Sequence, residues 1–177
     1  MKAAVIYESM YGNTRAIAEA TAEGLEPVAE SEVLSVDEAQ DTDLRSVDLL
    51  VVGGPTHVHG MSRKPLRDAA LKDALEHPEK GLHTEAAAGG KGLREWFDAM
   101  EPGTGKAAAF DTRLDGPEFL TGHASKAIAK QLGRHGFELV AKPVSFVVGK
   151  DNHLLPGQQD RAREWGRTLA AALSPTS

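Results

Sequence analysis

Residues 3–14 constrain the fold of this chain more than any other stretch. Ala3-Ala4-Val5-Ile6-Tyr7 is apolar throughout and predicts a buried strand. Glu8-Ser9-Met10-Tyr11-Gly12-Asn13-Thr14 follows, and a helical pattern opens at once. A short loop that runs from a buried strand into a helix leaves the first helical N–H groups without partners. It also sets the positive end of the helix dipole over the end of the strand. Ser9 and Thr14 add hydroxyls, Asn13 adds an amide that tolerates turn geometry, and Gly12 lets the backbone approach a ligand closely. Such a loop is suited to holding one phosphate. The alternative is an ordinary polar turn capped by Asn13 or Thr14.

Downstream, short apolar runs alternate with helical patterns. Strands are predicted at 3–7, 28–36, 47–54 and 106–111, and within 138–148, where 146–148 is strongest. Helices are predicted at 14–25, from about 62 or 65 onward, and at 93–100, 123–134 and 158–173. Val47 to Val52 is nearly all apolar, as central parallel strands buried on both faces tend to be. Ile17, Ala18, Thr21 and Leu25 form one helical stripe, and Ala162, Trp165, Leu169 and Leu173 form another. Trp96 and Phe97 are expected in the core. This alternation predicts a single α/β domain over 1–177: a doubly wound, five-stranded parallel sheet in the order 2-1-3-4-5, inside a three-layer αβα sandwich. Residues 71–92 are polar and then rich in Ala and Gly, and are expected to be a mobile loop or an insertion. Residues 174–177 are expected to fray.

In such a sheet the ligand lies beyond the carboxyl ends of the strands, at the switch point between strands one and three. The loops after strands one, three and four should then all carry binding chemistry. The second loop, 53–63, leaves its strand through Gly53-Gly54 and is stiffened by Pro55. Thr56, His57 and His59 offer polar groups there, Val58 and Met61 offer apolar surface, and Gly60 is a turn glycine. The third loop begins with Asp111, Thr112 and Arg113 and is long, as functional loops often are.

Ser9, Gly12, Asn13 and Thr14 after the first strand, with the Gly54-Pro55-Thr56 start of the second loop, resemble the flavodoxin family. The resemblance implies an FMN site. Ser9, Met10, Tyr11, Gly12, Asn13 and Thr14 would hold the phosphate. Pro55, Thr56, His57, Val58, His59 and Gly60 would frame the ring on one side, and Asp111, Thr112 and Arg113 on the other. It also implies a peptide flip near Gly60 that offers a carbonyl to the reduced ring. The family often stacks an aromatic from the third loop on the ring; here Phe119 is the only aromatic past that strand end.

Other chemistries are excluded by what the chain lacks. It has no cysteine, so thiolate metal sites, disulfides and thiol nucleophiles are absent. A net charge of −6 argues against nucleic acid as a partner. No apolar run reaches membrane-spanning length and no leader pattern is visible, so a cytoplasmic location is expected. His57 and His59 are too few ligands for a metal. Gly103-Thr104-Gly105-Lys106 precedes a strand and is followed by Ala107, so it is no nucleotide P-loop. The Gly-x-Gly-x-x-Gly turn of dinucleotide-binding domains is missing after strand one. No residue is assigned as catalytic. The reading favoured is an FMN electron carrier serving a reductase and an acceptor protein. The alternatives are an FMN-dependent reductase of quinones or of a porphyrinogen, and a flavin-free binding module. An enzyme would turn over with NAD(P)H alone, whereas a carrier would need a reductase.

Overall fold

The computed structural model describes residues 1–40, 42–57 and 60–173, with 45, 118 and 119 described by backbone alone. A parallel sheet forms its centre. Strand β1 (Lys2–Tyr7) pairs with β2 (Glu30–Ser35) on one side and with β3 (Leu49–His57) on the other. β3 pairs onward with β5 (Lys106–Leu114). The short β4 (Gly60–Met61) folds back antiparallel on the end of β3. The fifth sheet position is shared by β6 (Glu138–Leu139) and β7 (Val144–Val148), both parallel to β5. The order is therefore the 2-1-3-4-5 expected from the sequence, with the fifth strand broken in two. Lys142-Pro143 lies at the break; proline has no N–H to give a ladder.

Alternate residues of each central strand feed opposite layers, as the period of two requires. Val5, Leu49, Val51, Ala108 and Phe110 face α1 (Asn13–Leu25) and α6 (Gln158–Leu173). Ala4, Ile6, Leu50, Val52, Ala107 and Ala109 face α3 (Leu93–Ala99) and α5 (Ala124–Arg134). Trp96 and Phe97 lie in this second core. Phe110, Phe146 and Trp165 pack edge to face in the first, with centroids 6.0 to 6.2 Å apart. The helical stripes read from the sequence on α1 and α6 are buried as expected.

Two boundaries differ from the sequence reading in ways that matter for the site. β3 and β5 run three residues further than expected, carrying Pro55 to His57 and Thr112 to Leu114 as strand rather than loop. The segment expected to be loop from 71 is helical to 76, because α2 spans Lys64–Glu76. Arg67 is the one fully buried residue of α2; Leu66, Ala70, Leu71 and Ala74 share that side but are only half-buried, a weak stripe with a charged residue at its centre. Residues 77–92 then return over the first loop through two short 3₁₀ turns. Glu85 N–H donates to the Met10 carbonyl at 2.9 Å, and Ala88 is buried. Residues 174–177 lie outside the described residues.

Gly24 and Gly166 let α6 cross the C-terminal half of α1 closely. A Cβ on Gly24 would sit 2.2 Å from the Arg163 carbonyl oxygen and 2.9 Å from Gly166 Cα. Gly24→Ala should therefore destabilise the protein by about 1–3 kcal/mol, the usual cost of overpacking against backbone. Urea unfolding would show a lower midpoint with an unchanged slope; an unchanged midpoint would contradict this packing.

Candidate functional site

The first loop leaves β1 with its end tied to the neighbouring strand, Glu8 N–H donating to the Gly53 carbonyl at 3.0 Å. Gly12 takes a left-handed conformation (φ 89°) at the cap position of α1, which a side chain would strain. Its N–H donates to Ser9 Oγ at 3.0 Å, closing the turn. Thr14, on the first turn of α1, is buried and shares a hydrogen bond with Thr112 on β5 at 2.8 Å. Asn13 Nδ2 donates to the Asn152 carbonyl at 2.8 Å. Asn152 adopts positive φ (62°), a conformation asparagine tolerates. The N–H groups of the first turn of α1 have no partner within the helix and open toward the carboxyl end of the sheet.

A cleft of about 190 Å³ lies there, between the ends of β1, β3 and β5. The first loop lines it with Ser9, Met10, Tyr11, Asn13 and Thr14. Pro55, Thr56 and His57 form a second wall, and Thr112, Arg113 and Leu114 a third. Three separate loops of the sequence prediction thus meet at one place. Gly12 shapes the turn without lining the cleft. Gly60 pairs with His57 in the small hairpin, close to Arg94. Val58 and His59 fall outside the described residues.

Asp111 departs from the expectation. It is fully buried, and its carboxylate accepts the Ser125 N–H at 2.7 Å. That bond holds its side chain at the start of α5, outside the lining of the cleft, so it positions a helix. Thr56 serves α5 as well, its hydroxyl accepting the Ala124 N–H at 3.0 Å. Arg113 lines the cleft yet bonds to its own loop, through the Gly116 carbonyl at 3.1 Å and Thr121 Oγ1 at 3.2 Å. The side chain of Phe119 is not described. Tyr11 brings an aromatic ring to the lining from the first loop instead.

The sequence reading missed a buried ionic cluster behind the second wall. Glu8 accepts a hydrogen bond from Ser62 Oγ and one from Leu93 N–H, the latter at 2.8 Å. Arg67 is 3% exposed and donates to Ser62 Oγ at 3.1 Å and to both Glu95 oxygens at 3.1 and 3.2 Å. Glu95 also caps α3 by accepting the Gly92 N–H at 2.9 Å. Gly92 leaves room for this, since a Cβ there would lie 2.2 Å from Arg67 Nη1. Only the Gly92–Glu95 spacing at a helix start was a usable signal; Arg67 sits in a helix that otherwise reads as solvated. The cluster joins β1, the β4 segment, α2 and α3, and so braces the wall that carries His57.

His57 is affected by that cluster. Burial pushes its imidazole below the ordinary value of 6.5, with Glu8 opposing the shift and Arg67 adding to it. On the other side of the first loop, burial raises the Glu85 carboxyl, with Arg15 opposing. Among the described residues no cluster of three or more His, Asp or Glu could hold a metal. None of their helices is long and apolar enough to cross a membrane.

The cleft thus lies at the strand-order switch point, with the β1–α1 loop at its floor. The model of the flavodoxin family matches residues 5–97, and the chain belongs to that family. A flavodoxin from the domain Archaea superposes with a TM-score of 0.62 at 20% identity, over 98% of this chain and 99% of that one. Oxidised flavodoxin 1 from Bacillus cereus gives 0.64 at 17% identity, over 98% and 97%. A WrbA-like flavodoxin from Agrobacterium tumefaciens gives 0.54 at 20%, over 97% and 96%. No curated protein sequence matches the chain.

Two outcomes follow from this geometry. Arg67→Met takes the buried cation from Ser62 and from a Glu95 that is 38% exposed, so stability should fall by about 1–3 kcal/mol in urea unfolding; an unchanged midpoint would contradict the cluster. For His57, the unfolded chain binds a proton below pH 6.5 that the folded protein binds only at lower pH. Its contribution to stability is therefore full above 6.5 and is lost as pH falls through that value toward the folded pKa. His57→Gln should flatten the decline in stability between pH 7 and 5, and an identical slope in the variant would contradict the burial.

Proposed function

We propose that this cleft binds FMN and that the protein carries electrons between a reductase and an acceptor protein. The observation that carries the reading is the meeting of three walls on the N-terminus of α1 at the switch point of the sheet. The chemistry of the donors suits a phosphate. Gly12 holds the backbone open, the first-turn N–H groups point outward, and the Ser9 and Thr14 hydroxyls lie beside them. Pro55 to His57 and Thr112 to Leu114, the neighbouring ends of β3 and β5, form one continuous side of the cleft against which a planar ring would lie. The cleft is smaller than a pocket that swallows a whole ligand, so it suits a slot that grips the ring and leaves one edge in solvent. An exposed edge is what electron exchange with a partner protein needs.

FMN supplies the redox chemistry when bound. The side chains hold and orient it, exclude water from its faces and set the charge around it. The Gly60 segment, next to Arg94 and His57, is the part of the second wall that would answer a change in the ring by peptide reorientation. No acid–base pair is required for the carrier role. An NAD(P)H-driven reductase of quinones would use the same slot, and steady turnover with NAD(P)H alone would replace the carrier reading.

Fluorescence titration checks the phosphate role. FMN should bind at least tenfold more tightly than riboflavin, which lacks the phosphate; that ratio corresponds to about 1.4 kcal/mol. Gly12→Val and Thr14→Ala should each weaken FMN binding and leave riboflavin binding nearly unchanged. Equal affinity for the two flavins, or unchanged FMN affinity in both variants, would overturn the assignment.

A further inference from the structure

His57 is the unusual polar group of the cleft. It lines the second wall, yet its Nε2 is shut off from solvent and has no hydrogen-bond partner among the described residues. With a proton on Nδ1, Nε2 presents an open lone pair. The charged groups around it come from every neighbouring element. Glu8 stands at the end of β1 and Arg67 on α2. Arg94 of α3 reaches Gly60, the ladder partner of His57. Arg113 of β5 lines the same cleft, and His123 precedes the α5 terminus that is bonded to Thr56. Glu8 is the one acidic group in this set, and two hydrogen bonds already hold its carboxylate. While no charge stands on a ring beside it, burial and Arg67 favour the neutral imidazole. A new negative charge in the cleft, in a medium of low dielectric, reverses that balance.

We propose that His57 is a redox-linked proton store: neutral beside an oxidised ring, it takes a solvent proton on its imidazole when the ring becomes an anionic, two-electron-reduced flavin. The inference rests on the FMN reading of the cleft. Two electrons arrive from a reductase partner, and one proton goes to the ring. A second proton passes from hydronium to His57, where an N–H bond forms; reoxidation returns both protons to water. The charge left on the reduced ring would thereby be matched by an imidazolium in the lining of the same cleft. In the pH range between the two His57 pKa values, two protons accompany two electrons. The potential there falls twice as steeply with pH as it would with the ring proton alone.

The test is an NMR titration of the wild-type protein with isotope-labelled histidine, the His57 signal being identified as the one missing from His57→Gln. The titration is run on flavin-free protein, on the FMN complex, and on the same complex reduced with dithionite. His57 should titrate below pH 6.5 in the first two. Reduction should raise its pKa by at least one unit, a tenfold gain in proton affinity. If FMN binds, as followed separately by its fluorescence, and the His57 midpoint is the same in the oxidised and reduced complexes, the proposal fails while the FMN reading stands. If FMN does not bind, both fail.

Discussion

The structure depends on one turn: the left-handed backbone at Gly12 that passes the chain from the buried end of β1 into the first turn of α1. Only a residue without a Cβ makes that turn cheaply, and only that turn brings unpaired helical N–H groups over the carboxyl end of the sheet. Everything around it keeps the turn in place. Gly24 and Gly166 let α6 press α1 against the sheet. Thr14 and Thr112 tie the first turn of α1 to β5, and Asn13 ties it to the turn at Asn152. The placement of the proposed phosphate loop thus depends on the whole α1 layer.

The other half of the cleft is braced by charge. Glu8 follows β1 directly and precedes the first Ser of the loop, so it belongs to both walls at once. Its carboxylate is held by Ser62 and by the N-terminal amide of α3, where the helix dipole favours a negative group. Arg67 closes the cluster between Ser62 and Glu95. Such a cluster contributes little net stability against an apolar replacement, because desolvation offsets the attraction. Its value here is geometric. It sets the height of the hairpin that presents His57, and it gives that histidine opposed charges of both signs.

Much of this was legible in the sequence. The strand–loop–helix unit at 3–25, the strand order and the stripes of α1 and α6 follow from periodicity and from turn chemistry, which are local. Three loops far apart in sequence could be brought to one site because the doubly wound topology does so for any such chain. What escaped was non-local or featureless in pattern. α2 is only half-buried along its inner side, and the mixed apolar and charged residues from 71 to 76 give no strong stripe. Arg67 is buried by tertiary contacts that no periodicity announces. Asp111 read as a site residue because it lies beside two that line the cleft, but its carboxylate is taken up by the first turn of α5, a tertiary contact no local pattern shows. The extra three residues of β3 and β5 are invisible to a hydrophobicity pattern, since pairing at the sheet end is made by backbone.

The most direct test of the central claim is a map of backbone amide NMR shifts as FMN is added. FMN seated in the cleft should shift residues 9–15, 55–57 and 112–114, with the largest changes at the first-turn amides of α1. Shifts centred elsewhere, for instance along the outer face of α3, or none in residues 9–15, would contradict it.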